Sequence, residues 1–299
     1  MMRRATLALS LAAAFAASGC GARAEPVGPL AQQYPVRVQG SGDRATVLTQ
    51  RPERIVALDP GAAELLAALG VGERLVGVPA GLADQPAEAA TVVSPTGQVL
   101  VEEVVAAKPD LIVATPAVDP LDVSRAARES GGTAYVQPVS SVENVLRGTI
   151  ELGFLVGEAP RARKLSASIR RDVARVEARV AELDPVPVFV DTGFLITVPD
   201  RSLMGDLVRR ARGDNVADPT PSPEPPEACE VAALEPSVVL VVKEEGRRIA
   251  PPRFDDCRKA RNLEVRIARV PAELVLRPGP RLAEALEAVA RGLHPDAFG

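Results

Sequence analysis

The sequence predicts an α/β protein made of two Rossmann-like lobes with mostly parallel sheets, joined by one long rigid α-helix. Short continuous apolar runs alternate with helical segments, a pattern typical of parallel strands buried on both faces. The alternation occurs twice, before residue 158 and again after residue 184. One long amphipathic segment lies between the two series. The 299 residues also exceed the roughly 250 residues at which single cores stop growing.

The first twenty residues predict export. Arg3 and Arg4 precede an apolar stretch, 5–17, which is shorter than the about 20 residues that a membrane-spanning helix needs. Residues 1–19 are therefore interpreted as a signal peptide. The end of this segment, Ala-Ser-Gly-Cys20, resembles a bacterial lipobox, in which Cys20 is lipidated and begins the mature chain. Ordinary secretion with an unmodified Cys20 is the alternative.

Residues 51–157 predict the N-terminal α/β lobe, after a lipid-anchored tether and first edge segment at 20–50. The predicted strands are Arg54–Leu58, Leu75–Val78, Leu111–Ala114 and Ala134–Val136. The predicted helices are Ala62–Leu69, Val101–Ala107, Leu121–Ser130 and Val142–Val156. Gly70 and Gly131 mark the ends of two of these helices, because glycine readily adopts the left-handed conformation of a helix C-cap.

The pattern of residues 158–184 predicts the inter-lobe helix. Apolar residues recur every three or four positions and form one stripe: Leu165, Ile169, Val173, Val176, Val180 and Leu183. At 1.5 Å per residue the segment would extend ~39 Å, longer than a helix crossing one strand requires. Pro160 near its start and Pro185 after its end bound the segment.

Residues 185–299 predict the C-terminal α/β lobe. Its predicted strands are Val188–Asp191, Val238–Val242 and Val265–Val270, and its predicted helices are Leu203–Arg212 and Arg281–Leu293. The proline-rich stretch 219–226 predicts an exposed loop. The lobes share a weak pattern, a short helix headed by Glu102 or Glu230 followed by a proline and a buried strand. The pattern places one carboxylate at a helix N-terminus on each lobe, where the helix dipole favours negative charge.

Two cysteines remain once Cys20 is set aside. An even pair in an exported chain predicts a disulfide between Cys229 and Cys257, which would contribute about 3–4 kcal/mol in the chain-entropy view. A metal-binding or catalytic thiol pair is the alternative. It is weaker, because two cysteines and the remote His294 cannot fill a four-ligand zinc site unless carboxylates complete it.

Charge and motifs argue against several function classes. The net charge of −4 removes the simplest electrostatic case for binding nucleic acid, and a single histidine, His294, excludes any site with two imidazoles. Asp191-Thr-Gly matches the triplet of aspartic proteases, but no second triplet is present. Glycine-rich phosphate loops and a nucleophile elbow are also absent. We expect a binding protein rather than an enzyme, without catalytic residues, a metal site or a cofactor.

From Arg54 onward the chain resembles the substrate-binding proteins of bacterial ABC importers, in the class with a single inter-lobe helix that includes receptors for cobalamin, ferric siderophores and haem. The matching segments are Arg54-Ile-Val-Ala-Leu-Asp-Pro-Gly-Ala-Ala-Glu64-Leu-Leu with Gly70, Leu75–Val78, Gly97-Gln-Val-Leu-Val-Glu102, Lys108-Pro-Asp-Leu-Ile-Val113, the inter-lobe helix and Glu230–Val242.

The resemblance implies a monomeric receptor on the outer face of the cytoplasmic membrane, held there by its lipid alone. It implies a chelate or corrinoid ligand, delivered to a permease dimer with its ATPase, and no nucleic-acid partner. A sensor or scaffold domain without an importer, or a secreted hydrolase, is the alternative.

The resemblance also implies residue roles. In the family one glutamate on each lobe meets arginines of the permease. Glu102 fits this role in the first lobe. In the second lobe the family glutamate aligns near Cys229, so Glu230 is the choice and Glu227 the alternative.

The ligand is expected in the inter-lobe cleft, on loops at the carboxyl ends of the strands. The candidate residues are Asp59, Pro60, Gly61, Pro79, Thr96, Gly97 and Thr115 on the first lobe and Phe194, Arg253 and Arg277 on the second. Backbone amides at Gly61 are suited to hold an anion, and Arg253 or Arg277 to fork a carboxylate or phosphate. The ligand itself stays open. Trp is absent, and Tyr34, Tyr135 and Met204 are the remaining candidates for ligating haem iron.

Overall fold

The computed structural model describes residues 32–42, 45–82, 88–193, 195–217, 227–243 and 253–299. The predicted signal peptide and Cys20 lie outside the described residues. Within them the strands form three sheets, and no helix there has the length and apolar character to cross a membrane.

A small antiparallel sheet precedes the first lobe. It pairs β1 (Val36–Val38) with β2 (Thr46–Leu48). Val36, Val38 and Leu48 are buried against the first lobe, and the residue between each pair of inward positions is exposed. The sequence predicted a single edge strand here. The structure instead has a separate two-stranded sheet, because both segments alternate apolar and polar residues and cover the core with one face.

The first lobe contains a five-stranded parallel sheet in the order β5-β4-β3-β6-β7. Its strands are β3 (Ile55–Ala57), β4 (Leu75–Pro79), β5 (Ala90–Val93), β6 (Leu111–Ala114) and β7 (Thr133–Val136). The helices of this lobe are α1 (Pro60–Ala68), α2 (Val101–Ala107) and α3 (Pro120–Ser130). Sequence periodicity missed only β5, because its residues Ala-Thr-Val-Val end in just two consecutive large apolar side chains.

Two long helices follow and form an antiparallel hairpin: α4 (Val142–Leu155) and α5 (Ala159–Val180). The unbroken α5 falls inside the predicted span of the inter-lobe helix, and its 22 residues extend about 33 Å. Its buried positions include four residues of the predicted apolar stripe, Ile169, Val173, Val176 and Val180.

The second lobe contains a four-stranded parallel sheet in the order β11-β10-β8-β9. Its strands are β8 (Val186–Asp191), β9 (Gly213–Asn215), β10 (Val238–Lys243) and β11 (Arg266–Pro271). Its helices are α6 (Leu203–Arg210), α7 (Ala228–Ala233), α8 (Arg253–Ala260), α9 (Ala272–Val275) and α10 (Leu282–Leu293). Two parallel sheets and the long helix confirm the predicted fold class. Strand β9 and helices α8 and α9 were not predicted.

The hairpin belongs to both hydrophobic cores. At the start of α4, Val142 and Leu146 lie in the core of the second lobe, whereas Leu152 and Leu155 at its end lie in the core of the first. Leu165 of α5 packs against both cores. The sequence analysis assigned the bridging role to α5 alone, and the structure adds that α4 also enters the second core.

A buried carboxylate fixes the amino end of α4 to the second lobe. Asp206 of α6 accepts a hydrogen bond from the Val142 backbone N–H at 2.9 Å and another from Arg210 Nε at 2.9 Å. Arg210 also binds Glu177 of α5 at 2.5 Å. Burial alone would raise the pKa of Asp206, but these hydrogen bonds lower it below its usual value. The carboxylate therefore stays charged and links α4, α5 and α6.

The two hairpin helices touch where Gly153 of α4 meets Ala162 of α5. A side chain at Gly153 would place its Cβ on the Ala162 methyl group. Both residues are buried, so no solvent gap is available to relieve the overlap.

Gly153→Ala should therefore destabilise the protein, although alanine is the better helix former. We expect urea unfolding to show a loss of about 1–3 kcal/mol, typical of an overpacked core. Removing the opposing methyl with Ala162→Gly in the same chain should restore part of the loss. If the two single changes simply add in the double variant, the helices do not touch at this point.

Candidate functional site

Three polar side chains form one row across the carboxyl edge of the first sheet. The register pairs Ala57 with Val113 and Val113 with Tyr135. Asp59, Thr115 and Gln137 each lie two residues further along their chains, so they share one level and one face of the sheet. Their exposed fractions are 9%, 2% and 0%. Open α/β sheets bind ligands at this edge, so a buried polar row here is a candidate binding site.

Asp59 is the N-cap of α1 and is only half satisfied. Its Oδ1 accepts a hydrogen bond from the Ala62 backbone N–H at 2.9 Å, as serine or aspartate commonly does at this position. Its Oδ2 is buried without a hydrogen-bond partner among the described residues. Burial raises the pKa of the carboxyl to about 6, and the hydrogen-bond donors around it, the Ala62 backbone first and then Thr115 and Gly61, offset only part of that effect. Asp59 can therefore hold or release a proton near neutral pH.

Gln137 completes the row and was missed by the sequence analysis. Both of its side-chain amide atoms are buried and lack a partner among the described residues. The side chain lies against Gly148 of α4, where an added Cβ would stand 2.7 Å from Gln137 Cγ. The available signal was its position, since Gln137 follows strand β7 directly as Thr115 follows β6.

The carboxyl edges of the two sheets meet beside α1. A Cβ at Gly61 would stand 2.8 Å from the Pro278 carbonyl oxygen, so the second lobe covers the amino end of the helix. Next to it, Arg277 Nη1 and Glu64 Oε1 lie 3.4 Å apart and form an ion pair. Anion binding by the Gly61 amides and by Arg277 therefore requires these contacts to open. Pro60, the first residue of α1, lies beside them.

The other cleft candidates divide by burial. Pro79 ends β4 and is buried. Thr96 and Gly97 lie in an exposed turn after β5, in which Gly97 has φ +86° and the Thr96 and Ser94 hydroxyl oxygens are 2.9 Å apart. Arg253 begins α8, and Phe194 lies outside the described residues.

Asp191 serves the turn that follows β8. Its Oδ1 accepts hydrogen bonds from the backbone N–H groups of Gly193 at 2.8 Å and Leu195 at 2.9 Å. Burial raises the pKa of Asp191, and the two hydrogen bonds oppose that rise. The Asp-Thr-Gly triplet therefore organises a turn at the carboxyl edge of the second sheet.

The carboxylates predicted to dock on a permease begin α2 and α7. Glu102 is exposed in the first turn of α2. Glu230 and Glu227 form a reciprocal capping box on α7, with Glu230 Oε2 accepting from the Glu227 backbone N–H at 2.8 Å. Because helices α2 and α7 lead back to the amino ends of β6 and β10, their first turns lie on the carboxyl side of each sheet.

The predicted disulfide is present. Cys229 of α7 is bonded to Cys257 of α8, and their Cα atoms are 5.1 Å apart. It excludes the alternative of a free thiol pair at these positions. Within the described ranges no group of three or more His, Cys, Asp or Glu side chains is arranged to hold a metal ion.

Comparison with known proteins gives one family. The sequence profile described as "Periplasmic binding protein" matches residues 55–250. An uncharacterized ABC transporter substrate-binding lipoprotein of Bacillus subtilis is 25% identical over 100% of this chain and 99% of its own length. A cobalamin-binding protein of Halobacterium salinarum is 28% identical over 87% of this chain and 74% of its own. The periplasmic vitamin B12 binding protein of Vibrio cholerae shares the fold, with a TM-score of 0.68, 22% identity, and coverage of 83% of this chain and 98% of its own.

Asp59 should make the protein less stable as pH rises. Its pKa is about 6 when folded, against its ordinary 3.8, so the folded state binds the proton more tightly. The free energy of unfolding should fall by about 2 kcal/mol between pH 4 and pH 6 and level off above pH 7. Asp59→Asn keeps the cap and should remove this contribution.

Urea unfolding of both proteins from pH 4 to pH 8 measures the effect, because other titrating groups cancel in the difference between them. The free energy of unfolding of the variant, relative to that of the parent protein, should rise as the pH is raised to about 6. A difference that does not change with pH would show that Asp59 titrates normally.

Proposed function

Because the chain belongs to the periplasmic binding protein family, we propose that it captures an iron–siderophore, haem or cobalamin-type ligand between its lobes and delivers it to an ABC importer. The proposed partners are a permease dimer and its ATPase. The protein binds its ligand and does not transform it, and it acts as a monomer.

One observation carries this proposal, the buried polar row of Asp59, Thr115 and Gln137. Unpaired buried polar atoms are costly, so the unpaired oxygen of Asp59 and the amide of Gln137 call for a partner. The row lies at the edge where the first lobe meets the second. A ligand that supplies hydrogen-bond donors and acceptors there satisfies these atoms.

The protein acts outside the cytoplasm, and the proposed attachment is a lipid on Cys20. Tethering raises the effective concentration of the receptor near its importer. The residues on each side of the cleft then need only moderate affinity for the permease.

Cys20→Ser should release the protein from the membrane. We expect the parent protein in the membrane fraction and the variant in the soluble extracytoplasmic fraction, measured by immunoblot after cell fractionation. Ser18→Ala, which keeps the cysteine, is the control. Retention of the serine variant on the membrane would refute the lipid attachment.

Glu102→Lys and Glu230→Lys should weaken docking. Each change replaces a carboxylate, proposed to face permease arginines, with a lysine that repels them. We expect the double variant to lose at least about tenfold in affinity for the purified importer. Surface plasmon resonance on importer immobilised in detergent measures this affinity. The neighbouring exposed residue Glu103, changed to Lys, is the matched control for α2.

Glu227→Lys separates the two candidates on α7. If it weakens docking and Glu230→Lys does not, Glu227 is the second docking residue. Unchanged affinity in all α7 variants would remove α7 from the interface.

A further inference from the structure

The side chains that hold haem iron in proteins are His, Cys, Met and Tyr. This sequence contains one His, two Tyr, three Met and three Cys. Met1, Met2 and Cys20 fall in the predicted signal peptide and lipobox, outside the described residues. The positions of the other six decide whether the protein can offer a donor to haem iron in the cleft.

Tyr34 and His294 lie at the wrong edges of the sheets. The Tyr34 hydroxyl donates to the Leu155 carbonyl at 2.8 Å, at the end of α4. The next carbonyl, of Val156, accepts from Arg74 at 3.0 Å, and Arg74 directly precedes the amino end of β4. Tyr34 is therefore separated from the carboxyl edge by the length of α4, about 20 Å for its 14 residues.

His294 caps the carboxyl end of α10. Arg266, the first residue of β11, donates to the carbonyls of Gly292 and Leu293 at 2.7 and 2.9 Å. The histidine therefore lies at the amino edge of the second sheet, on the side away from the cleft.

The other four candidates are buried in the fold or bonded to each other. Tyr135 is fully buried in β7, and its hydroxyl donates to Glu151 Oε2 at 3.0 Å. Met204 is buried in the hydrophobic core of the second lobe. Cys229 and Cys257 are bonded to each other. None of these six side chains can reach a ligand between the lobes.

Three exposed apolar side chains instead lie in segments that follow the carboxyl ends of strands. Leu121, Ile196 and Leu276 are 77%, 51% and 52% exposed, and they follow the carboxyl ends of β6, β8 and β11. Ligand sites are lined mainly by apolar groups with a few polar ones to fix orientation. The cleft therefore offers apolar contacts at its rim and hydrogen bonds from the Asp59 row below.

We infer, on the basis of the proposed function, that the ligand is a metal complex whose coordination sphere is complete before it binds, such as a ferric siderophore or a corrinoid with its own axial ligands. No Tyr, His, Met or Cys side chain of the described residues adds a donor atom to the metal. It recognises the outer surface of the complex by contact with Leu121, Ile196 and Leu276. Haem, whose iron has open axial positions, is the poorer ligand.

The test is calorimetric titration of the purified full-length protein with ferrioxamine B, cyanocobalamin and haemin. We expect one of the first two to bind at least about tenfold more tightly than haemin. Replacing Fe³⁺ with Ga³⁺ in ferrioxamine B should leave its affinity unchanged, because no protein atom bonds to the metal. Tightest binding by haemin, with the absorption spectrum of Tyr-, His- or Met-ligated iron, would overturn the inference and leave the receptor function standing. Binding of none of the three would overturn both.

Substitutions test the exposed apolar residues and the Tyr and His side chains separately. Leu121→Ser, Ile196→Ser and Leu276→Ser should together weaken the tightest binder at least about tenfold. The exposed residues Val47 and Leu234 lie away from the carboxyl edges and are the matched controls, each changed to Ser. Tyr34→Phe and His294→Gln should leave the affinity unchanged. A tenfold loss in either of these two, in protein with unchanged circular dichroism, would contradict the inference.

Discussion

The shared packing of the α4–α5 hairpin is the constraint on which the rest of the structure depends. Each helix contributes apolar side chains to both hydrophobic cores, as Leu146 and Leu152 do in α4. A movement of one lobe relative to the other must therefore disturb a packed core, and cores resist changes of that kind. The contact of Gly153 with Ala162 and the Asp206 network hold the hairpin at its two ends. The geometry favours small adjustments of the cleft over wide hinge opening.

This rigidity keeps the polar row facing the second lobe. Asp59, Thr115 and Gln137 come from strands that are far apart in sequence, and the register of the sheet brings them to one level. The hairpin then holds the second lobe over that edge, where Pro278 covers Gly61 and Arg277 pairs with Glu64. Under the proposed function, a ligand bound at this edge replaces such contacts with its own and meets both the polar row and the ion pair.

Several features were predictable because their signals are local. Continuous apolar runs gave most strands, and helical periodicity gave the apolar stripe of α5. The even cysteine pair gave the disulfide between Cys229 and Cys257. Asp59 and Thr115 were found because they directly follow predicted strands. The same argument applied to β7 would have found Gln137. The strands β5 (Ala-Thr-Val-Val) and β9 (Gly-Asp-Asn) lack the continuous apolar run that marked the other strands.

The sequence by itself determined the fold class and the family resemblance and predicted export, because each of these signals lies in consecutive residues. Only the tertiary structure decided that α4 joins both cores, that Glu64 holds Arg277, and that no described Tyr, His or Met donor faces the cleft. These facts depend on which surfaces pack together across long stretches of chain. Periodicity shows which face of an element is buried, but the packed structure alone shows what that face meets.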